Sequence, residues 1–207
     1  PDLKKLMFFS DCVVWAYPID RSFEENYFYF LQELIGAMNL LVSVLINKGV
    51  LVRGGVSDGD IYIDGKKVFG PALVRSYELE KSAVYPQIVC DRSLINASKL
   101  SFSEYHKDFI EDYISENEES DFYSIDYFKM IDQAAKTFAE AQETIGYDID
   151  FTREYIEDVV RILPNGINSA DSRVRMKYEW LRSKLLTLKN AEYEFSVLDD
   201  PKFSKGD

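Results

Sequence analysis

Apolar and polar residues alternate along this chain in blocks that change period. Leu3 to Phe9 and Cys12 to Tyr17 are two short apolar runs rich in Phe, Val, Trp and Tyr. Such residues favour strands, and the polar pair Ser10-Asp11 between them predicts an antiparallel hairpin with Asp11 at its tip. Ser22 with Glu25 has the spacing of a capping box. The positions Phe23, Tyr27, Phe30, Leu31, Leu34, Met38, Leu41 and Leu45 then recur at three and four, which predicts a long helix that Gly49 ends. The period shortens again over Val50 to Val56, a predicted strand. Asp60 to Phe69 reads as a hairpin turning at Asp64-Gly65. Pro71 suits the first turn of a helix that runs to about Ala83, and Gln87 to Cys90 reads as a buried strand.

Past residue 100 the pattern loosens. Residues 101–124 read as an acidic linker or insertion, with Glu111 to Asp126 irregular and solvated; an acidic metal-binding loop is the alternative. Helical stripes follow, first Phe128, Ile131, Ala135, Phe138 and Ile145, then Val174, Tyr178, Leu181, Leu185 and Leu188. Residues 125–195 are thus a helical extension and 196–207 a tail, behind an α/β body over residues 1–100.

Composition narrows the function classes. Apolar residues make up 46% of the 207, sufficient for a substantial core. Against 24 basic residues stand 36 acidic ones, a net charge of −12. That balance argues against nucleic-acid partners and anionic membranes, because both require basic surface. The apolar stretch Phe23 to Ile46 is interrupted by Glu24, Glu25, Gln32, Glu33 and Asn39, so it reads as a core helix rather than a membrane span. No signal peptide is evident, and a cytoplasmic location is the expectation. Cys12 and Cys90 lie in apolar runs and read as buried free thiols. His106, the sole histidine, sits in a polar stretch and is a poor base for a serine or cysteine nucleophile.

Candidate chemistry concentrates in residues 53–80. Glycines at Gly54-Gly55 and Gly70 allow a backbone to approach a phosphate closely, and the helix after Pro71 offers N-terminal N–H groups to an anion. With Phe8-Phe9-Ser10-Asp11 upstream, the stretches Arg53-Gly54-Gly55-Val56-Ser57-Asp58-Gly59 and Phe69-Gly70-Pro71-Ala72-Leu73 resemble the class III nucleotidyl cyclases. The resemblance is closer to a divergent bacterial branch, some of whose members make cyclic pyrimidine nucleotides in antiphage defence. It covers roughly residues 3–92.

The resemblance implies an α/β fold, a ferredoxin-like cyclase palm with an antiparallel-rich sheet and flanking helices. It implies nucleoside triphosphate binding with Mg2+ or Mn2+, and a homodimer with composite sites. Asp11 would be one metal carboxylate; by itself it reads as a turn residue. Arg53, Gly54, Gly55, Lys67, Phe69, Gly70 and Arg75 would face the nucleotide. Two metal-bound carboxylates would activate the 3′-hydroxyl that attacks the α-phosphate.

Several positions depart from the family pattern. The strand expected to carry the other metal aspartate would precede Pro1. Val74 and Glu78 stand where an asparagine and an arginine are expected. Met7 and Lys67 stand where purine-specific enzymes place a lysine and an aspartate. Lys67 suits a base carbonyl, as in uracil or guanine, or is a solvated hairpin residue. Arg53 suits a phosphate or a neighbouring acid. Two functions follow as expectations: a divergent cyclase, or a degenerate homologue that senses a nucleotide or docks a protein without turnover.

Overall fold

A computed structural model describes residues 5–23, 25–99, 104–116, 122–145, 151–191 and 193–203. The chain is mixed α/β and divides into two compact units. A sheet unit comprises Pro1–Ala37, Arg53–Ala83 and Gln87–Ile125, and a helical unit comprises Met38–Val52, Val84–Pro86 and Asp126–Asp207.

The sheet unit opens with the expected hairpin, β1 (Lys5–Phe9) against β2 (Cys12–Ala16), antiparallel with Phe9 opposite Cys12. Only two residues turn the chain, and Ser10 takes φ 49° to do so. Alternation splits the hairpin into two faces. Met7 is buried on one, while Leu6, Phe8 and Val13 on the other are exposed. Leu3 lies outside the described residues.

The helix α1 (Glu25–Asn47) follows, and it buries Phe28, Leu31, Leu34, Ile35, Val42 and Ile46. This face is rotated from the expected one: Phe23 and Leu41 are exposed, and only Leu31 and Leu34 are common to both. The helix is apolar on more than one side, so spacing alone could not say which side meets the core. The Ser22 hydroxyl donates to the Asp20 carboxylate, and the Ser22 N–H does so at 2.9 Å. It thereby serves a turn ahead of the helix. Gly49 ends α1 as expected, at φ 74°, with Gly49 N–H to Ile46 O at 2.8 Å and Val50 N–H to Leu45 O at 2.9 Å.

The expected strand over residues 50–56 forms only as β3 (Gly54–Val56). The hairpin β4 (Tyr62–Ile63) and β5 (Val68–Phe69) turns at Asp64-Gly65. There the Asp64 carboxylate accepts from the Lys66 and Lys67 N–H groups at 3.0 and 2.9 Å. Then come α2 (Pro71–Ser82) and β6 (Ile88–Asp91). After the short α3 (Arg92–Lys99), the described residues of the stretch read as an acidic linker form α4 (Glu104–Tyr113), β7 (Ile114–Glu116) and most of β8 (Phe122–Ile125). The main sheet runs β3-β6-β8-β7, with β3 and β6 parallel and the other pairs antiparallel. β8 was obscured because its apolar residues, Phe122, Tyr123 and Ile125, sit among acids whose charges dominate any window average. Leu79, Ala83, Val89 and Phe122 pack together as a core that joins α2 to the sheet.

The helical unit contains α5 (Tyr127–Ile145) and α7 (Ser172–Leu185), where the two stripes lie, and between them α6 (Phe151–Ile167), which no stripe marked. Phe128, Ile131 and Ala135 are buried on α5, and Leu181 and Leu185 on α7. The side chains of Phe138 and Ile145 lie outside the described residues. Asp126 caps α5, accepting from the Phe128 and Lys129 N–H groups at 3.1 and 3.2 Å, and takes Lys184 as an ion partner at 2.7 Å. In the described part of the tail, the short 3₁₀ turns Phe195–Asp199 and Pro201–Phe203 bury Leu198 and Phe203.

Candidate functional site

Asp11 is exposed at the tip of the β1–β2 hairpin, where the sequence placed it. Among the described residues no three His, Cys, Asp or Glu side chains gather as a metal-binding group. No metal-dependent step follows from Asp11 alone. Cys12 beside it is exposed, not buried as expected, because the outward edge of the hairpin is uncovered. Cys90 is buried, and burial pushes its thiol up to about 12.

The glycines satisfy packing demands inside the sheet unit. A Cβ on Gly55 would overlap the Ser76 carbonyl oxygen and lie 2.8 Å from Glu80 N. Gly55 is thus what lets α2 lie against β3. Gly70 takes φ 144°, a conformation side chains rarely adopt, and a Cβ there would overlap Asp60 O. The Ser57 hydroxyl donates to Ala72 O at 2.7 Å, fastening the glycine loop to the start of α2. Gly54 is ordinary by comparison, since a Cβ there would only touch Ile88 at 3.6 Å.

The helix start expected to hold a phosphate is partly spent. Pro71 has no N–H, and the Ala72 N–H donates to Asp60 O at 3.2 Å. Arg53 pairs with the Glu80 carboxylate and donates to Ala83 O at 3.2 Å. Arg75 grips Asp91 with Nε at 2.7 Å and Nη2 at 3.3 Å, and stands 4.0 Å from Glu78. That guanidinium grip holds the Asp91 carboxyl below its ordinary range, against the opposing effect of partial burial. Both arginines tie α2 to its own sheet and loop.

What remains outward is aromatic and basic. Lys66 and Lys67 are exposed at the β4–β5 turn. Phe69 is 58% exposed and stacks on Tyr62, with ring centroids 4.8 Å apart and planes at 25°. Val74 and Tyr77 on α2 are 57% and 56% exposed, and Lys81 sits over the Tyr77 ring at 4.6 Å. Glu78 is exposed beside them. The structure thus leaves Phe69, Val74 and Glu78 exposed, and holds Arg53 and Arg75, themselves 38% and 41% exposed, in carboxylate pairs within the unit. Tyr62 and Asp91 were missed. Asp91 closes an apolar run and so looked like a strand end, while its partner Arg75 is 16 residues distant in sequence. No family model, curated protein or solved structure matches the chain.

Proposed function

We propose that this chain is a catalytically degenerate, cyclase-like domain that acts as a protein-interaction module. The order hairpin, long helix, short strand, second hairpin, helix and strand is the support for a ferredoxin-like palm as its framework, while both hairpins form two-stranded sheets of their own beside the main sheet. The observation that carries the functional reading is the commitment of Arg53 to Glu80 and of Arg75 to Asp91. A phosphoryl-transfer site needs cations free to meet developing charge. These two are matched by carboxylates, the position expected to hold an arginine is Glu78, and the Ala72 N–H at the start of α2 already donates to Asp60 O. Exposed aromatic surface at the same end suits a protein partner instead.

One observation favours the turnover-competent reading, in which a nucleoside triphosphate binds with Mg2+ or Mn2+: Asp11 is exposed on a short, two-residue hairpin tip. Incubation of the protein with all four ribonucleotides and Mn2+, followed by mass spectrometry, separates the two. The interaction reading expects no cyclic product and no nucleotide-dependent rise in melting temperature. A cyclic nucleotide whose formation stops on Asp11→Ala would overturn it.

A further inference from the structure

Resting on that reading, we infer that the β4–β5 hairpin docks an acidic segment of a partner protein, whose carboxylates meet Lys5, Lys66 and Lys67 and whose apolar side chains lie against the Tyr62–Phe69 stack. All five of these side chains are exposed. Lys5 reaches the hairpin from β1, where its ammonium donates to Ile63 O at 2.6 Å. Tyr62 and Phe69 are cross-strand partners, and alternation puts their stacked rings on the face opposite the buried Ile63.

Charge at the hairpin tip runs against the rest of the chain. The net charge is −12, yet here three ammoniums meet one carboxylate, Asp64. That carboxylate is occupied: it accepts the Lys66 and Lys67 N–H groups, and the Tyr62 hydroxyl at 3.1 Å. Asp60 lies at the other end of the hairpin, beyond Tyr62, and Glu78 on α2 stands 4.0 Å from Arg75. Among the described residues neither Lys66 nor Lys67 forms an ion pair. Two like charges side by side oppose folding, and no partner within the chain offsets them. The bonds to Asp64 also fix the turn that carries them, which lowers the ordering cost of meeting a partner.

Extent selects a protein segment over other anions. Duplex nucleic acid carries a charge about every 1.7 Å, and an anionic membrane is a charged plane. Either would bring phosphates against a chain with 36 acidic residues as well as against the tip. A short segment with a few carboxylates meets the three cations alone, and its apolar residues gain the kind of aromatic anchor that protein interfaces favour.

Fluorescence anisotropy of a labelled peptide of glutamate and leucine, with a lysine-and-leucine peptide as its counterpart, tests the site on the whole chain. The acidic peptide should bind saturably and the basic one should not. Binding should be lost at about 1 M salt, where the Debye length is about 3 Å. Lys66→Glu with Lys67→Glu should weaken it about tenfold or more, with the circular dichroism unchanged. Phe69→Ala should weaken it and keep the salt dependence. Lys48→Glu, an exposed cation of the helical unit, should leave it as it was. Absence of saturable binding would overturn the inference, as would equal binding of the basic peptide or undiminished binding by the lysine double variant. Tighter binding of a uridine oligonucleotide or of phosphatidylserine vesicles, lost in that same double variant, would give the cations to another partner and overturn it too. Cyclic nucleotide made by a protein that still binds the acidic peptide would remove the interaction-only function and leave the docking surface standing.

Discussion

The two units differ in how many of their aromatic residues they leave exposed. In the helical unit Tyr127, Phe128 and Tyr155 are buried, and Phe128 meets Trp180 and Tyr155 edge-on at 6.1 and 6.5 Å. Tyr85 stacks flat on Trp180 at 5.3 Å, and the Tyr127 hydroxyl donates to Pro86 O. The exposed large side chains of this unit are aliphatic or Met, among them Leu40, Val44, Val84 and Leu186. In the sheet unit Phe8, Phe9, Phe23, Tyr29, Tyr62, Phe69 and Tyr77 are all exposed. An aromatic ring adds large contact area at low entropic cost, and it is worth that only where something covers it. Among the described residues the helical unit leaves every aromatic ring buried or half-buried. The sheet unit buries Phe28, Phe122 and Tyr123 but presents the seven just named, and that contrast is why the interaction reading rests on the sheet unit.

The largest effect should come from breaking the helical unit's own cluster. Phe128→Ala should cost about 3–5 kcal/mol, the range for emptying a core aromatic site. Urea unfolding followed by tryptophan fluorescence reads it, and a loss below 1 kcal/mol would show that the ring cluster is not the core.

Next come two glycines that test how each unit is packed. Gly55→Ala in the sheet unit drives a methyl into the Ser76 carbonyl and the Glu80 amide, both backbone, and should cost about 1–3 kcal/mol. Gly166→Ala in the helical unit places its Cβ in overlap with Cγ of Tyr178, the near end of that ring, and should cost a similar amount. A loss below about 0.5 kcal/mol for either variant in chemical denaturation would mean that the packing at that glycine is looser than the structure shows.

A smaller effect concerns Arg75 and Asp91. The Asp91 carboxyl is lowered in the folded state, so the pair contributes stability above the unfolded carboxylate pKa of about 3.9. That contribution fades as the pH falls through the folded value. Asp91→Asn should therefore be less stable than wild type at neutral pH, and the gap should close in acid. Parallel curves from pH 7 downward would show that the grip adds nothing.

The smallest effect is the sharpest counterpart to Phe128. Tyr77→Ala should change the stability of the dissociated chain by no more than about 0.5 kcal/mol, because its ring is exposed. Measured in dilute protein by thermal melting, a loss as large as that of Phe128→Ala would erase the distinction between the units.

Local rules were enough wherever the deciding partner was a sequence neighbour. The β1–β2 and β4–β5 hairpins, the Gly49 stop, the Pro71 start and the helices of the second unit follow from turn residues and periodicity within a few positions. The exposure of Asp11 follows from the same turn. Tertiary structure decided whatever depended on distant partners. It chose which apolar side of α1 is buried, and it recruited Phe122–Ile125 into the sheet against Ile88–Asp91. It turned Arg53 to Glu80 and Arg75 to Asp91, residues 27 and 16 positions away. A guanidinium looks the same in sequence whether it waits for a phosphate or already holds a carboxylate, because the energy that settles it is a charge brought close only by the fold.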